Sequence, residues 1–259
     1  MKRHIISAVT LLSIAAVLII NPAFAGCSAV QDSGKLLYIS GTYGALSRGN
    51  YDGDATVADL KRHGDFALGS FSGIDGEMLG LNGTYYQIGA QGKIIEANDA
   101  WTVPNATVTF FKPDKTISLG KAASYTEMQA NINSQLPTPN IFYAMKVTGK
   151  FDWIKARTLT KLNKPYPTTP YSTITQNEPT FEFRNVESTL IIVVTPNFAG
   201  EIAYPGYHAH FINSDGKYGG HVIDCSIISG QAEVASLPNF TVNLPQSAVF
   251  YHADFSNTK

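Results

Sequence analysis

The chain has 259 residues, a formal charge of −1 at neutral pH, and 15% charged residues against 44% hydrophobic and 11% aromatic ones. No basic patch marks it as a nucleic-acid binder, and no acidic tail marks a disordered arm. Low charge with 22 Gly, 13 Pro and many aromatic residues suits a compact, sheet-rich fold, long enough for one large domain or two small ones packed together.

The first residues read as an export leader. Lys2, Arg3 and His4 form a short basic head, and Ile5 to Ile20 is an apolar run broken only by Ser and Thr. Asn21-Pro22 then breaks the run, and Ala23-Phe24-Ala25 places small residues at the two positions that a signal peptidase reads. Residues 1–25 are therefore expected to be a signal peptide, with a periplasmic or secreted mature protein and no membrane span after processing. Phe24-Ala25-Gly26-Cys27 is a poor lipoprotein box, so lipid attachment at Cys27 is the less favoured alternative. The two cysteines, Cys27 and Cys225, are too few for a disulfide framework. Cys225 ends an apolar run and reads as a buried free thiol.

Leu36 to Ser40 reads as a strand. Val57 to His63 has helical spacing, with Thr56 placed to cap it and Gly64 to stop it. From Phe66 to Ile95 short apolar runs alternate with Gly or Asn-Gly: Phe66 to Phe71, Met78 to Leu81, Tyr85 to Ile88, and Ile94-Ile95. Asn82-Gly83 between two such runs signals a hairpin, and Gln91-Gly92 a weaker one. Val108 to Phe111 is a further strand. Ser124 to Gln135 reads as a helix opened by a capping box of Ser124 and Glu127 and ended by Pro137 and Pro139. Phe142 to Val147 and Phe151 to Thr158 are expected to pair across a Thr148-Gly149-Lys150 turn. Lys161 to Pro170, with three prolines, is the best candidate for a crossover between halves spanning 26–160 and 161–259. Thr180 to Val186 and Ser188 to Thr195 follow as strands. The expected class is α+β: mostly mixed and antiparallel sheet in two packed halves, with two or three helices.

Three of the histidines lie close together in Tyr207-His208-Ala209-His210-Phe211 and Gly219-Gly220-His221-Val222. Strand residues two apart share a face, so His208 and His210 point the same way. Reflecting the chain about Asp215-Gly216 pairs residues whose numbers sum to 431, which sets His221 opposite His210. A longer symmetric loop about the same centre leaves that pairing intact. Directly opposed Cβ atoms lie about 4.5–5.5 Å apart, so three imidazoles converge as a metal site requires. Neutral imidazoles favour zinc, Zn(2+), although copper, nickel or iron would also bind. A three-histidine set leaves coordination positions open, which is the pattern of a catalytic centre. His63 stands at a helix end, where a structural or dipole role fits best, and His252 receives no role.

Several segments resemble the α-acetolactate decarboxylase family. They are Gly41-Thr42-Tyr43-Gly44-Ala45-Leu46, Gly49-Asn50-Tyr51-Asp52-Gly53-Asp54, His63-Gly64-Asp65-Phe66-Ala67-Leu68-Gly69-Ser70-Phe71, Asp75-Gly76-Glu77-Met78 and the histidine hairpin itself. Lys155-Ala156-Arg157-Thr158 falls where that family has a functional arginine. The resemblance covers nearly all of the chain after the leader, with its motifs in the family's order. It implies a lyase that converts 2-acetolactate into acetoin and CO₂, with His208, His210 and His221 holding zinc. Glu77 and Arg157 would be the acid–base and substrate-orienting pair, and Ser70 keeps the hydroxyl of a threonine usual there. On that reading the metal acts as a Lewis acid that stabilises an enediolate, Arg157 matches the substrate carboxylate, and Glu77 delivers a proton to carbon. Taken alone, Asp75-Gly76-Glu77 is an ordinary turn and Arg157 an ordinary strand-end cation.

The match has two departures. Family members usually continue further and bring a tail glutamate to the metal, whereas here the last glutamate is Glu233 and the only acidic residue after it is Asp254. Asp215-Gly216 stands where Asp-Arg is frequent. The alternative reading is a non-catalytic metal or small-ligand binding protein on the same fold, and a lyase or aldolase-like enzyme on a related α-hydroxy-β-keto acid is a third. Retention of Glu77 and Arg157 favours the decarboxylase, because a binding module would need only the histidines. Monomer and homodimer both remain open, the dimer because large sheet-rich exported enzymes are often paired.

Overall fold

A computed structural model describes residues 35–256; the leader expectation and Cys27 lie outside them. Two sheets carry the fold. The first has seven strands in the order β14 (Asn239–Asn243), β1 (Leu36–Ser40), β8 (Asn105–Thr109), β3 (Phe66–Ser70), β4 (Glu77–Leu81), β5 (Thr84–Ile88) and β6 (Ile94–Glu96). Its one parallel pair is β1 with β14, so this sheet is mixed. The second runs β10 (Phe142–Arg157), β11 (Thr180–Thr195), β12 (Gly206–Asn213), β13 (Gly219–Leu237), β9 (Lys115–Leu119), all antiparallel. Because β13 also pairs with β10, strands β10 to β13 close on themselves. A two-residue ribbon joins β2 (Ala55–Thr56) to β7 (Thr102–Val103). The expected α+β class, mostly sheet, is what the molecule shows.

Among the described residues five short α-helices complete it: α1 (Tyr43–Ser47), α2 (Val57–Lys61), α3 (Tyr125–Asn133), α4 (Tyr171–Gln176) and α5 (Ala248–His252). Thr56 caps α2 as expected, accepting from Asp59 N while the Asp59 carboxylate accepts from Thr56 N. Ser124 accepts from Glu127 N at the start of α3, but the Glu127 carboxylate takes Ala123 N in place of the cap residue's own amide. Helices α1, α4 and α5 were not legible: five or six residues show little of a 3.6-residue period, and α2, equally short, was marked instead by its Thr56 cap and Gly64 stop. Among the described residues no helix is long and apolar enough to cross a membrane.

Alternation along the second sheet gives it two apolar faces. One, with Tyr143, Met145, Phe151, Leu190 and Phe211, is covered by α3 through Tyr125, Met128 and Ile132. The other, with Phe142, Ala144, Ile191, Val193 and Ile212, packs on Leu37, Ile39, Phe66, Leu68 and Leu79 of the first sheet. His208 and His210 share the parity of Ile212, so they face the first sheet.

Three expectations are corrected. Phe142 to Thr158 is not a hairpin: β10 runs straight through Thr148-Gly149-Lys150, with Gly149 opposite Ser188 on one side and Gly230 on the other. A Cβ at Gly149 would lie 2.5 Å from the Ser229 carbonyl oxygen, so this glycine serves a close backbone approach and not a turn. The runs on either side of Glu187 likewise form the single strand β11. The sheets do not part at residue 160, because β9 and β10 pair with the later strands while β14 returns to the first sheet. The Asn82-Gly83 hairpin forms as expected, with φ of 53° and 81°, the left-handed pair that a type I′ turn requires.

Candidate metal centre

Two rows of polar residues, one from each sheet, meet at the site. In the second sheet the register sets Arg157 opposite His221 and His221 opposite His210. The pairs His210–His221, Phe211–Gly220 and Ile212–Gly219 all keep the symmetry expected about Asp215-Gly216. Asn213 N donates to Tyr218 O and extends the pairing, which leaves a four-residue loop at the tip. In the first sheet Ser70 lies opposite Glu77 on one side and Asn105 on the other. Directly opposed residues of antiparallel strands share a face, so each row presents its side chains together.

Contacts between the rows are direct. Arg157 Nη1 donates to Glu77 Oε1 at 3.0 Å, in a pair that is almost fully buried. Glu77 Oε2 lies 3.4 Å from His210 Nε2. His210 Nδ1–H donates to the Met78 carbonyl at 2.7 Å, leaving the Nε2 lone pair to face the other histidines. His210 Nε2 is 3.1 Å from His208 Nε2 and 3.3 Å from His221 Nδ1.

Burial sets the protonation states. It pushes the His210 imidazolium down to about 3, against the Met78 carbonyl that favours it. His208 and His221 are also driven well below the usual histidine range by burial, with Arg157 and the neighbouring imidazoles adding to the effect. All three are therefore neutral at physiological pH, the form that binds metals. Burial raises the Glu77 carboxyl to about 7, even though Arg157 pulls the other way.

The donor set fits a metal ion. The three ligand nitrogens lie within 4.8 Å of one another. A tetrahedral zinc with bonds of about 2.0–2.1 Å needs ligand nitrogens about 3.3–3.4 Å apart, close to the two spacings seen. The hydrogen bond from His210 to Met78 O is the outer contact that fixes a ligating histidine's tautomer. The three-histidine group can hold a metal ion, and a narrow open cleft lined by His208 and His221 reaches it.

Ser70, Glu77, Arg157, His208 and His221 line this cleft, and His210 contacts Glu77 and the other two histidines behind it. Ser70 Oγ donates to Asn105 Oδ1 at 3.4 Å, and both line the cleft with Glu77 and Arg157. Asp254 does not; it is exposed and accepts from Ser256 N. His63 stacks on Tyr38, with centroids 3.7 Å apart, in a structural role. Cys225 is a buried free thiol. Tyr43, Asn105, Tyr171 and Tyr204 line the cleft but were not singled out. Register alone could have supplied Asn105, once β8 was paired with β3.

Comparison with known proteins finds one family. The family model described as alpha-acetolactate decarboxylase matches residues 37–257. The alpha-acetolactate decarboxylase of Methanosarcina mazei is 40% identical over 86% of this chain and 77% of its own length. That of Brevibacillus brevis is 34% identical over 99% and 95%. The crystal structure of alpha-acetolactate decarboxylase from Bacillus subtilis strain 168 superposes with a TM-score of 0.81 at 33% identity, covering 86% of this chain and 94% of that one.

Proposed function

The chain belongs to the alpha-acetolactate decarboxylase family, and from that membership we propose that it converts 2-acetolactate into acetoin and CO₂ at a zinc site held by His208, His210 and His221. The observation that carries the proposal is the meeting of the two rows, which sets Glu77 and Arg157 against the histidine triad in one cleft. A metal-binding module would not need that buried pair.

The residues divide the reaction between them. Loss of CO₂ from a β-keto acid leaves an electron pair on carbon, so the site must tolerate developing negative charge and then supply a proton. A bound zinc supplies Lewis-acid polarisation of the substrate oxygens. Arg157 holds the leaving carboxylate with the guanidinium donors that Glu77 does not occupy, five in all being available in a fixed fork. Glu77, with its carboxyl raised to about 7, exists in both protonation states near neutral pH, as a general acid–base group should. The proton it gives goes to the carbon that CO₂ has left. Ser70, backed by Asn105, offers a hydroxyl on the same wall. Export to the periplasm or beyond, read from residues 1–25, is part of the same proposal.

The test is acetoin formation from racemic 2-acetolactate by residues 26–259, before and after chelation and reloading with zinc. Activity should vanish on chelation and return with metal. Glu77→Gln should keep the metal and lose turnover by about 10²–10⁴-fold, the usual contribution of a positioned proton donor. Chelator-insensitive activity, or a fully active Glu77→Gln, contradicts the assignment.

A further inference from the structure

The three histidines are not held alike. His210 is fixed by its Nδ1–H donation to the Met78 carbonyl. Among the described residues the rings of His208 and His221 have no hydrogen-bonding contact except with His210 itself. A metal-ligating histidine ordinarily donates its second ring N–H to a carboxylate, carbonyl or water, which sets the ring's orientation. For two of the three ligands no protein group among the described residues does so.

Tyr204 packs against both of those rings. Its ring stacks on His208, with centroids 4.6 Å apart and planes 28° apart. The same ring meets His221 edge-on at 5.7 Å and 67°. Tyr43 closes the other side, 5.2 Å away at 70°. The approach to Tyr204 is anchored as well: Gly44 N donates to Glu201 O, Tyr43 N to Ile202 O, and Arg48 Nη1 to Glu201 Oε2 at 2.8 Å. A stacked face and an edge together restrict rotation about both ring bonds without any hydrogen bond.

We propose that Tyr204 is a positioning residue of the metal centre, its aromatic ring orienting His208 and His221 where His210 is oriented by a carbonyl. The proposal rests on the reading that the three histidines bind a metal. It assigns the effect to the ring face and not to the phenol hydroxyl, and it acts on affinity and coordination geometry before it acts on turnover.

The experiment is equilibrium competition for zinc against a chromophoric chelator, with the visible absorption of the cobalt(II)-loaded protein as a second readout. The proteins are wild type, Tyr204→Leu, Tyr204→Phe and His210→Ala. Tyr204→Leu keeps an apolar side chain in place, and thermal melting of the metal-free form shows whether it folds as wild type does. Its zinc affinity should fall by about 10–100-fold, the range for loss of an outer-shell partner, and the cobalt bands should change shape. Tyr204→Phe should restore both. Wild-type affinity and spectrum in Tyr204→Leu overturn the proposal and leave the metal centre standing. Equal damage in Tyr204→Phe overturns it too, because the hydroxyl would then be the active part. If wild type takes up no metal, or His210→Ala takes it up as well as wild type, the metal-centre reading fails and the proposal falls with it.

Discussion

Burial acts in opposite directions on the two kinds of titratable group at this site. The three imidazoles are pushed toward their neutral form, His210 down to about 3, while the Glu77 carboxyl is raised to about 7. For the histidines the folded protein binds protons more weakly than the unfolded chain, whose imidazoles titrate near about 6.5. Their contribution to stability is present above that pH and is lost as pH falls below it. For Glu77 the folded protein binds the proton more tightly, so its contribution grows as pH falls from about 7 toward the ordinary value of 4.5. Three groups outweigh one. The metal-free protein should therefore melt at a lower temperature at pH 5.5 than at pH 7.5, and Glu77→Gln, which removes the opposing contribution, should make the drop steeper. A melting temperature that holds or rises on acidification would mean that the imidazoles are not buried in neutral form.

At the scale of the elements, the site depends on strands running past the point where the sequence suggests that they turn. Arg157 reaches His221 only because β10 continues through Gly149 for its full 16 residues. The backbone of β13 crowds that glycine closely enough for a Cβ to meet Ser229 O and Gly230 Cα. Gly149→Ala should cost about 1–3 kcal/mol, the usual range for overpacking a filled space, measured by chemical denaturation. An unchanged midpoint would show that the strands can separate there at no cost. The histidine hairpin was legible because its register is local: three residues, a turn signal between them, and a period of two. The strands β4 and β5 were legible from their Asn82-Gly83 turn, β1 from its apolar run, and the helix α2 from its Thr56 cap and Gly64 stop. The facing row of Asn105, Ser70 and Glu77 was not, since it depends on pairing β8 with β3 across 35 residues. Glu77, Arg157 and Ser70 came from the family resemblance. Tyr204 lies in a connection and Tyr171 opens the short helix α4, both placed by packing, and no periodicity marks them.

For the whole molecule, the site lies on the surface where the two sheets pack. All three candidate ligands belong to the second sheet, yet the first sheet supplies the Met78 carbonyl and the Glu77 carboxyl. A metal bound there is bound by the folded protein and released on unfolding, so it shifts the folding equilibrium by mass action. At a free concentration 100 times Kd the gain is about 2.7 kcal/mol. For a chain of this size each kcal/mol moves the melting temperature by about 2–4 °C, so zinc should raise it by roughly 5–11 °C. His210→Ala should lose that shift together with the metal. Glu77→Gln should keep it, because the carboxyl is assigned to proton transfer and the three nitrogens to the metal. Should Glu77→Gln lose the shift as His210→Ala does, Glu77 would be a fourth ligand. The second sheet's hairpin would then be only part of the metal site, and the proton would have to come from another group in the cleft.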